Sequence, residues 1–322
     1  MPATTNGKGR KMPPALAGPR FADCSDAAPD TAGFTYHRVP VADGVSLNAA
    51  VAGTGSPVVL LHGFPQTHLM WRHVAADLAA DHTVICPDLR GYGASDKPAE
   101  HGGADGTYAY SKRTMAADTV ALARALGHER FALAGHDRGA LVAFRAGLDH
   151  PDAITHLACL DVLPTLDMWD ALHGVTAAVG FHLYLMAQPP GLPERLIGAE
   201  PDAFFGHFLD LWAGGPKAVP ADVRAAYLAA CRAAVPSIVA DYRASAGIDA
   251  DHDRADREAG RLLRMPVAVL QQDWGAALGF DAAALWRAWA PDLHHSTVTC
   301  GHFMAEESPR QISAALRVLL GR

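Results

Sequence analysis

The chain has 322 residues, of which 50% are hydrophobic, and a formal net charge of −7 at pH 7. This length and composition are enough for one large buried core, and one α/β domain with an inserted subdomain fits the length. The acidic balance argues against a nucleic-acid partner, and no apolar run is long enough to span a membrane.

The N-terminal segment is rich in Pro, Ala, Gly and Thr and lacks the apolar core of a signal peptide. We therefore predict a disordered tail over residues 1–33. The 5 cysteines are widely spaced and form no CxxC pair, which argues against a zinc site or a disulfide framework. Cys86, Cys159 and Cys300 lie in apolar runs typical of strands, where we expect them to be buried. Reduced cysteines suit a cytoplasmic protein.

Strand-like runs alternate with helical patterns along most of the chain. Two alternating stretches flank Asp43-Gly44, a dipeptide typical of a hairpin turn. Further strands are predicted at residues 57–61, 82–86, 130–134, 154–160, 266–270 and 296–299, and helices at residues 70–79, 114–126, 138–148, 282–290 and 311–320. The sequence therefore predicts a mostly parallel sheet flanked by helices over residues 34–163 and 248–322, with a helical lid inserted at residues 164–247.

A strand followed directly by a helix carries the segment GHDRG. Gly135 and Gly139 flank Asp137 in the spacing G-x-nucleophile-x-G, which allows the sharp turn that presents the nucleophile in the α/β-hydrolase fold. A helix N-cap is the alternative role for an aspartate at this place. As a nucleophile, a carboxylate needs no base to remove a proton, so Asp137 suits displacement at a saturated carbon and formation of an alkyl ester.

A histidine after the last predicted strand is the candidate base. The chain order Asp137, acid, His302 is that of α/β hydrolases, in which the histidine would activate water to hydrolyse the ester. Asp161 and Asp273 each follow a predicted strand, and either could orient the histidine. We favour Asp161, because Asp273 could simply cap or turn the chain.

The segment HGFP at residues 62–65 follows a buried strand. In α/β hydrolases such a loop supplies one backbone N–H of the oxyanion hole, and the residue after the nucleophile supplies the other. We therefore predict that the backbone groups of Phe64 and Arg138 hold the Asp137 carboxylate and later the tetrahedral intermediate of ester hydrolysis. A plain turn is the alternative interpretation of the loop.

From about Phe34 to the C-terminus, the chain resembles haloacetate dehalogenases of the fluoroacetate dehalogenase type. The matching segments are HGFPQT at 62–67, DLRGYG at 88–93, GHDRG at 135–139, LDHP at 148–151, LD at 160–161, AQP at 187–189, DYRA at 241–244 and GHF at 301–303. The resemblance implies hydrolysis of a small 2-haloacid, haloacetate to glycolate and halide, with Asp137 as nucleophile, His302 as base and Asp161 as its acid partner. It also implies water as the second substrate, no cofactor or metal, and a homodimer.

The resemblance further implies that two arginines hold the substrate carboxylate. Arg138 matches the first of them, but Leu141 stands where the second would be. One arginine should bind a carboxylate less well than two. Arg145 lies one further turn along the helix and could compensate for the missing arginine, but we expect it to be solvated at the surface instead.

The halide pocket of the family consists of a histidine, a tryptophan and a tyrosine of the lid. His182 matches the histidine and Tyr242 the tyrosine, whereas Leu183 stands in place of the tryptophan. Because fluoride is a poor leaving group that needs strong hydrogen bonding, we expect weaker defluorination here, with chloro- or bromoacids or another substrate preferred. Packing of the lid is the alternative role for both matching residues.

Other functions fit parts of the same pattern. Epoxide hydrolases share the fold, the aspartate nucleophile and lid tyrosines, for which Tyr242 and Tyr184 are the candidates. Arg138 beside the nucleophile favours an acidic substrate instead, and haloalkane dehalogenases usually carry a tryptophan there. A binding protein that keeps the fold as a ligand pocket is the non-catalytic alternative, because a fold alone does not decide function.

Overall fold

The structure is a computed structural model that describes residues 33–99, 107–272 and 279–322, so the predicted N-terminal tail lies almost entirely outside the described residues. The described strands form one eight-stranded sheet. They are β1 (Thr35–Ala42), β2 (Val45–Ala52), β3 (Ser56–Leu61), β4 (His82–Pro87), β5 (Phe131–His136), β6 (Ile154–Leu160), β7 (Val267–Gln271) and β8 (Leu293–Thr297).

The strands lie in the order β1-β2-β4-β3-β5-β6-β7-β8. The first two form the predicted antiparallel hairpin, and Gly44 in its turn has a φ of 67°, a conformation that glycine adopts readily. β2 pairs antiparallel with β4, and the pairs from β4 to β8 are parallel. The sheet is therefore mostly parallel, as predicted, and its central strands end at one common edge.

Helices flank the sheet, as predicted. Those of the α/β part are α1 (Arg72–Leu78), α2 (Lys112–Ala125), α3 (Arg138–Asp149), α10 (Ile248–Glu258), α11 (Ala282–Arg287), α12 (Met304–Glu307) and α13 (Pro309–Leu320). Every residue of α3 from Arg138 to Leu148 is buried, since this helix is enclosed on all sides. The functional consequence is that α3, which follows β5 directly, begins inside the molecule.

Between β6 and α10 the chain forms helices and loops, in the segment predicted as the lid. The helices are α4 (Thr165–Ala171), the 3-10 helix Gly174–Gly180, α5 (Phe181–Met186), α6 (Leu192–Ala199), α7 (Pro201–Leu211), α8 (Ala221–Arg232) and α9 (Val235–Ala246). Proline lies in the first turn of α6, α7 and α9. Proline is tolerated there because a backbone N–H in the first turn has no intrahelical acceptor. The prolines of the sequence therefore separate these helices.

Two local expectations were wrong. The last strand ends at Thr297, and only one further backbone bond, Val298 N–H to Gln271 O, continues its pairing, so Cys300 lies in a loop and is half-buried. Arg145 is buried rather than solvated, and its guanidinium bonds with Asp256 of α10. Cys86 and Cys159 are buried as expected.

No single helix within the described ranges is long and apolar enough to cross a lipid bilayer. Two consecutive helical segments, Ala221–Arg232 and Val235–Glu258, are long and apolar enough to cross a bilayer only when they are taken together, and they meet at an angle of 79°. In the second part of this pair, Ile238, Val239, Ala240 and Tyr242 are at most 1% exposed. The side chains of Ile238, Val239 and Tyr242 pack within the hydrophobic core of the molecule.

Candidate active site

Asp137 lies in the sharp turn between β5 and α3, with φ 48° and ψ −117°. The neighbouring glycines make this turn possible. A Cβ on Gly135 would lie 2.3 Å from Gly139 O, and one on Gly139 would lie 2.4 Å from His62 O. Asp137 occupies the N-cap position of α3, yet its side chain makes no capping hydrogen bond. The local geometry therefore favours presentation of the carboxylate over helix capping.

The loop after β3 holds one oxygen of this carboxylate. The backbone N–H of Phe64 donates to Asp137 Oδ1 at 2.8 Å, and the Phe64–Pro65 peptide bond is cis. Gly63 allows the approach, since a Cβ there would lie 2.6 Å from Asp137 Cβ. Arg138 is the first residue of α3, a position where the backbone N–H has no intrahelical acceptor. Both predicted oxyanion-hole residues thus adjoin the carboxylate.

His302 lies between two carboxylates. Its Nδ1–H donates to Asp161 Oδ2 at 2.6 Å, and its Nε2 is 3.9 Å from Asp137 Oδ2. Gln272 donates its backbone N–H to Asp161 Oδ1 and its side-chain amide to Asp161 Oδ2, which fixes that carboxylate. Asp273, the other candidate acid, lies outside the described residues.

The protonation of His302 reflects this pair of carboxylates. Burial lowers the pKa of His302, but the hydrogen bond and negative charge of Asp161, followed by the charge of Asp137, outweigh burial and raise it above its ordinary value of 6.5. Nε2 is buried and has no hydrogen-bond partner among the described residues. A neutral His302 would therefore have a free lone pair directed toward the carboxylate of Asp137.

His136 was not identified from the sequence, although it adjoins the candidate nucleophile. Its Nε2–H donates to the backbone carbonyl of His302 at 2.7 Å, and the two rings lie 4.5 Å apart. Burial lowers the pKa of His136 to about 4, so its ring is neutral near pH 7. The N–H of His302 donates to Trp212 O at 2.8 Å. The loop of the candidate base is thus held from both sides.

Arg138 forms a buried ion pair with Asp241 of α9, in the segment predicted as the lid. Its Nε and Nη2 donate to the two carboxylate oxygens of Asp241, each at 2.9 Å. Lys112 and Tyr92 also donate to Asp241. Burial raises the pKa of this carboxyl, but the positive charges of Arg138 and Lys112 outweigh burial and lower it. The guanidinium lies 4.1 Å over the ring of Tyr242. Arg138 therefore remains charged, because the pairing with Asp241 outweighs burial and raises the pKa of its guanidinium.

His182 and Tyr242 lie together beside Phe64. The His182 ring is parallel to that of Phe64 at 5.9 Å and meets that of Tyr242 edge-on at 5.5 Å. His182 Nδ1 and the Tyr242 hydroxyl are buried without a hydrogen-bond partner among the described residues. Burial lowers the pKa of His182 to about 3 and raises that of Tyr242 well above 10. Both side chains are therefore neutral.

A cavity of about 330 Å³ opens onto Asp137 and is lined by Arg138, His182, Tyr242 and His302. Leu141 and Leu183 also line it, at the positions where the resemblance implied arginine and tryptophan.

Two side chains depart from the expectation. Trp212, which the sequence did not indicate, lines the cavity with its ring 5.0 Å from that of His302. Tyr184 is 39% exposed, donates its hydroxyl to Leu172 O and is not a lining residue.

Comparison with known proteins adds independent information. A family model described as alpha/beta hydrolase fold matches residues 56–184. A fluoroacetate dehalogenase from Burkholderia sp is 38% identical over 89% of this chain and 94% of that protein. A soluble epoxide hydrolase from Corynebacterium sp. (strain C12) is 32% identical over 86% of this chain and 94% of that protein.

The chain belongs to the α/β-hydrolase family and is a homologue of fluoroacetate dehalogenase. A solved Pseudomonas aeruginosa protein, provisionally described as an epoxide hydrolase, superposes with a TM-score of 0.85 at 40% identity, over 92% of this chain and 98% of that one. The fold and the general class, a hydrolase, are therefore established. Since both kinds of relative match over most of their length, the bond that is hydrolysed has to be inferred from the site.

Within the described residues, no group of three or more His, Cys, Asp or Glu side chains is arranged to hold a metal ion. The two carboxylates at the cavity have hydrogen-bond partners within the protein. Asp161 is bonded to His302 and Gln272, and Asp137 to Phe64. The spacing of Asp137, His302 and Asp161 is compatible with the predicted roles of nucleophile, base and orienting acid.

Proposed function

We propose that the protein hydrolyses the carbon–halogen bond of a small 2-haloacid through a covalent ester of Asp137. The observation that carries the proposal is the set of groups around this carboxylate. His302 Nε2, His182 Nδ1 and the Tyr242 hydroxyl are buried polar atoms without partners among the described residues, and each belongs to a residue that lines the cavity of Asp137. Because buried polar groups normally have partners, such a set is typical of a ligand site.

In the first step, Asp137 Oδ2 attacks the carbon that carries the halogen. The new carbon–oxygen bond forms as the carbon–halogen bond breaks, and the electron pair leaves with the halide. Arg138 holds the substrate carboxylate, and the Tyr242 hydroxyl and the neutral His182 ring donate hydrogen bonds to the departing halide. The low pKa of His182 keeps this ring from forming an ion pair with Asp137, which would weaken the nucleophile.

In the second step, water hydrolyses the ester. His302 Nε2 takes a proton from water, and the resulting hydroxide adds to Cγ of Asp137. The Phe64 and Arg138 backbone N–H groups stabilise the oxyanion, and Asp161 stabilises the charged imidazole. The ester bond between Cγ and the substrate oxygen then breaks, the charged His302 gives its proton to the leaving alkoxide to complete the 2-hydroxyacid, and the new carboxylic acid of Asp137 loses its proton to water. The net reaction consumes one water and yields hydroxyacid, halide and a proton, without a cofactor.

Epoxide hydrolysis is the second candidate, and the relatives described as epoxide hydrolases favour it. The same carboxylate would open the epoxide, and a lid hydroxyl would protonate its oxygen. Tyr242 is in position for this role, but the hydroxyl of Tyr184 is bonded to a backbone carbonyl of the lid. The buried positive charge of Arg138 also favours a carboxylate substrate.

The deciding experiment incubates the protein with fluoro-, chloro- and bromoacetate and with styrene oxide, and measures halide and diol. Halide without diol supports dehalogenation, whereas diol alone supports the second candidate and contradicts the first. A single turnover of chloroacetate in ¹⁸O-labelled water then tests the ester. The label should enter Asp137 rather than the product, and label in the product of the first turnover would overturn the covalent route.

A further inference from the structure

The side chains that line the cavity at Asp137 fall into two chemical groups. One comprises the groups assigned above to the carboxylate and halide. The other, which we call the apolar wall, consists of Leu141, Leu163, Met168, Leu172, Val179 and Leu183. Leu172 and Leu183 adjoin Gly180, on which an added Cβ would lie 3.1 Å from each. The 3-10 helix of the lid and α5 thus contribute to one continuous apolar surface.

Two polar side chains that line the same cavity, Trp169 and Ser245, already have partners. Trp169 Nε1–H donates to Ser245 O at 2.9 Å, and the hydroxyl of Ser245 bonds to Arg138. A polar substituent placed against the apolar wall would lose its hydrogen bonds to water without replacement, whereas an apolar one would gain by leaving water. The wall therefore selects apolar groups.

The cavity is also larger than a haloacetate needs. A haloacetate has about five non-hydrogen atoms, which at roughly 30 Å³ per water-sized group fill about 150 Å³. The cavity of about 330 Å³ lies within the usual range for ligand pockets. Roughly half of it would remain empty beside the apolar wall, which leaves space for about six carbon-sized groups.

We propose that the preferred substrate is a 2-haloacid with an apolar substituent on the carbon that carries the halogen, such as a phenyl or branched alkyl group. This inference rests on the proposed function. The carboxylate contacts Arg138 while the substituent packs between Leu141 and Leu183. Attack by Asp137 on that carbon breaks the carbon–halogen bond as described above, and the product is the corresponding 2-hydroxyacid.

Two measurements test the proposal. Calorimetric titration compares phenylacetate with acetate, which are unreactive acids with and without the apolar group. Halide release compares 2-chloro-2-phenylacetate with chloroacetate. Phenylacetate should bind at least roughly tenfold more tightly than acetate, and the larger chloroacid should have the higher kcat/KM. Leu183→Trp, which fills the apolar wall, should abolish both preferences. Leu196→Trp is the matched control, because Leu196 is 55% exposed on α6.

The outcomes separate this inference from the proposed function. Equal binding of the two acids, or faster turnover of chloroacetate, would overturn the inference and leave dehalogenation intact. Tight binding of phenylacetate that Leu183→Trp abolishes, without halide release from either chloroacid, would support the assignment of the wall and overturn dehalogenation. An equal loss of binding in Leu183→Trp and Leu196→Trp would show a general effect on the lid and would also contradict the inference.

Discussion

Arg138 and Asp241 form a two-point ion pair between the helix of the candidate nucleophile and a helix of the lid. Removing one partner of such a buried pair leaves an unpaired charge. We expect Asp241→Asn to lower the free energy of unfolding by about 3 to 5 kcal/mol and to raise KM for a haloacid more than it lowers kcat. Urea denaturation and steady-state kinetics measure the two effects.

The matched control for this variant is an exposed ion pair. Arg232 bonds to Asp202 with both side chains about half exposed. Asp202→Asn should change the free energy of unfolding by less than about 1 kcal/mol. If both variants were equally stable, the pair at Arg138 would not be the link between lid and core that the structure indicates.

His302→Gln should separate the two chemical steps. The variant keeps Asp137 but lacks the base, so halide release should stop after about one equivalent and ester hydrolysis should slow by about 10² to 10⁴-fold. Intact-protein mass spectrometry should detect the trapped ester as an added hydroxyacid residue. Asp137→Asn is the control and should show neither the halide burst nor the added mass. Continued turnover by His302→Gln would exclude this histidine as the base.

The pH dependence of ester hydrolysis should report His302. Its raised pKa means that the ring is protonated, and inactive as a base, at pH values below that pKa. The rate should therefore rise with pH through an inflection above 6.5, the ordinary value for histidine. Asp161→Asn removes the main cause of the raised pKa, so the inflection should move to lower pH while the rate falls by up to about 10⁴-fold. An unchanged inflection would show that another group controls the rate.

Leu183→Trp should alter halide selectivity. If the indole N–H reaches the halide, the ratio of fluoride to chloride release from the haloacetates should increase several-fold, because fluoride depends most on hydrogen bonding. Ion chromatography of both halides measures the ratio, and Leu196→Trp should leave it unchanged. No change in fluoride release from Leu183→Trp would contradict the hypothesis that the missing N–H donor at position 183 weakens defluorination.

Much of the fold could be predicted because its signals are local. The Asp43-Gly44 turn, the buried strands and the glycine spacing around Asp137 each depend on a few adjacent residues. The structure brings Asp137, Asp161 and His302 together, as their chain order predicted. The second candidate acid falls outside the described residues.

Features that depend on the packing of the lid could not be predicted in the same way. The burial of Arg145 depends on α10, which lies about a hundred residues further along the chain. The position of Trp212 in the cavity and the bond from Tyr184 to Leu172 O depend on how the lid helices pack. No short sequence pattern specifies these arrangements, because each is decided by tertiary contacts.

The positive φ of Asp137 has a consequence for the evolution of this chain. Among the described residues, Asp137 and Asp161 are the non-glycine positions with positive φ, a backbone state that costs on the order of 1 to 3 kcal/mol. Asp161 offsets that cost with bonds to His302 and Gln272, whereas Asp137 has its bond to the Phe64 N–H. Selection of variants for heat tolerance alone should therefore favour glycine at position 137, and only selection for turnover would retain the aspartate.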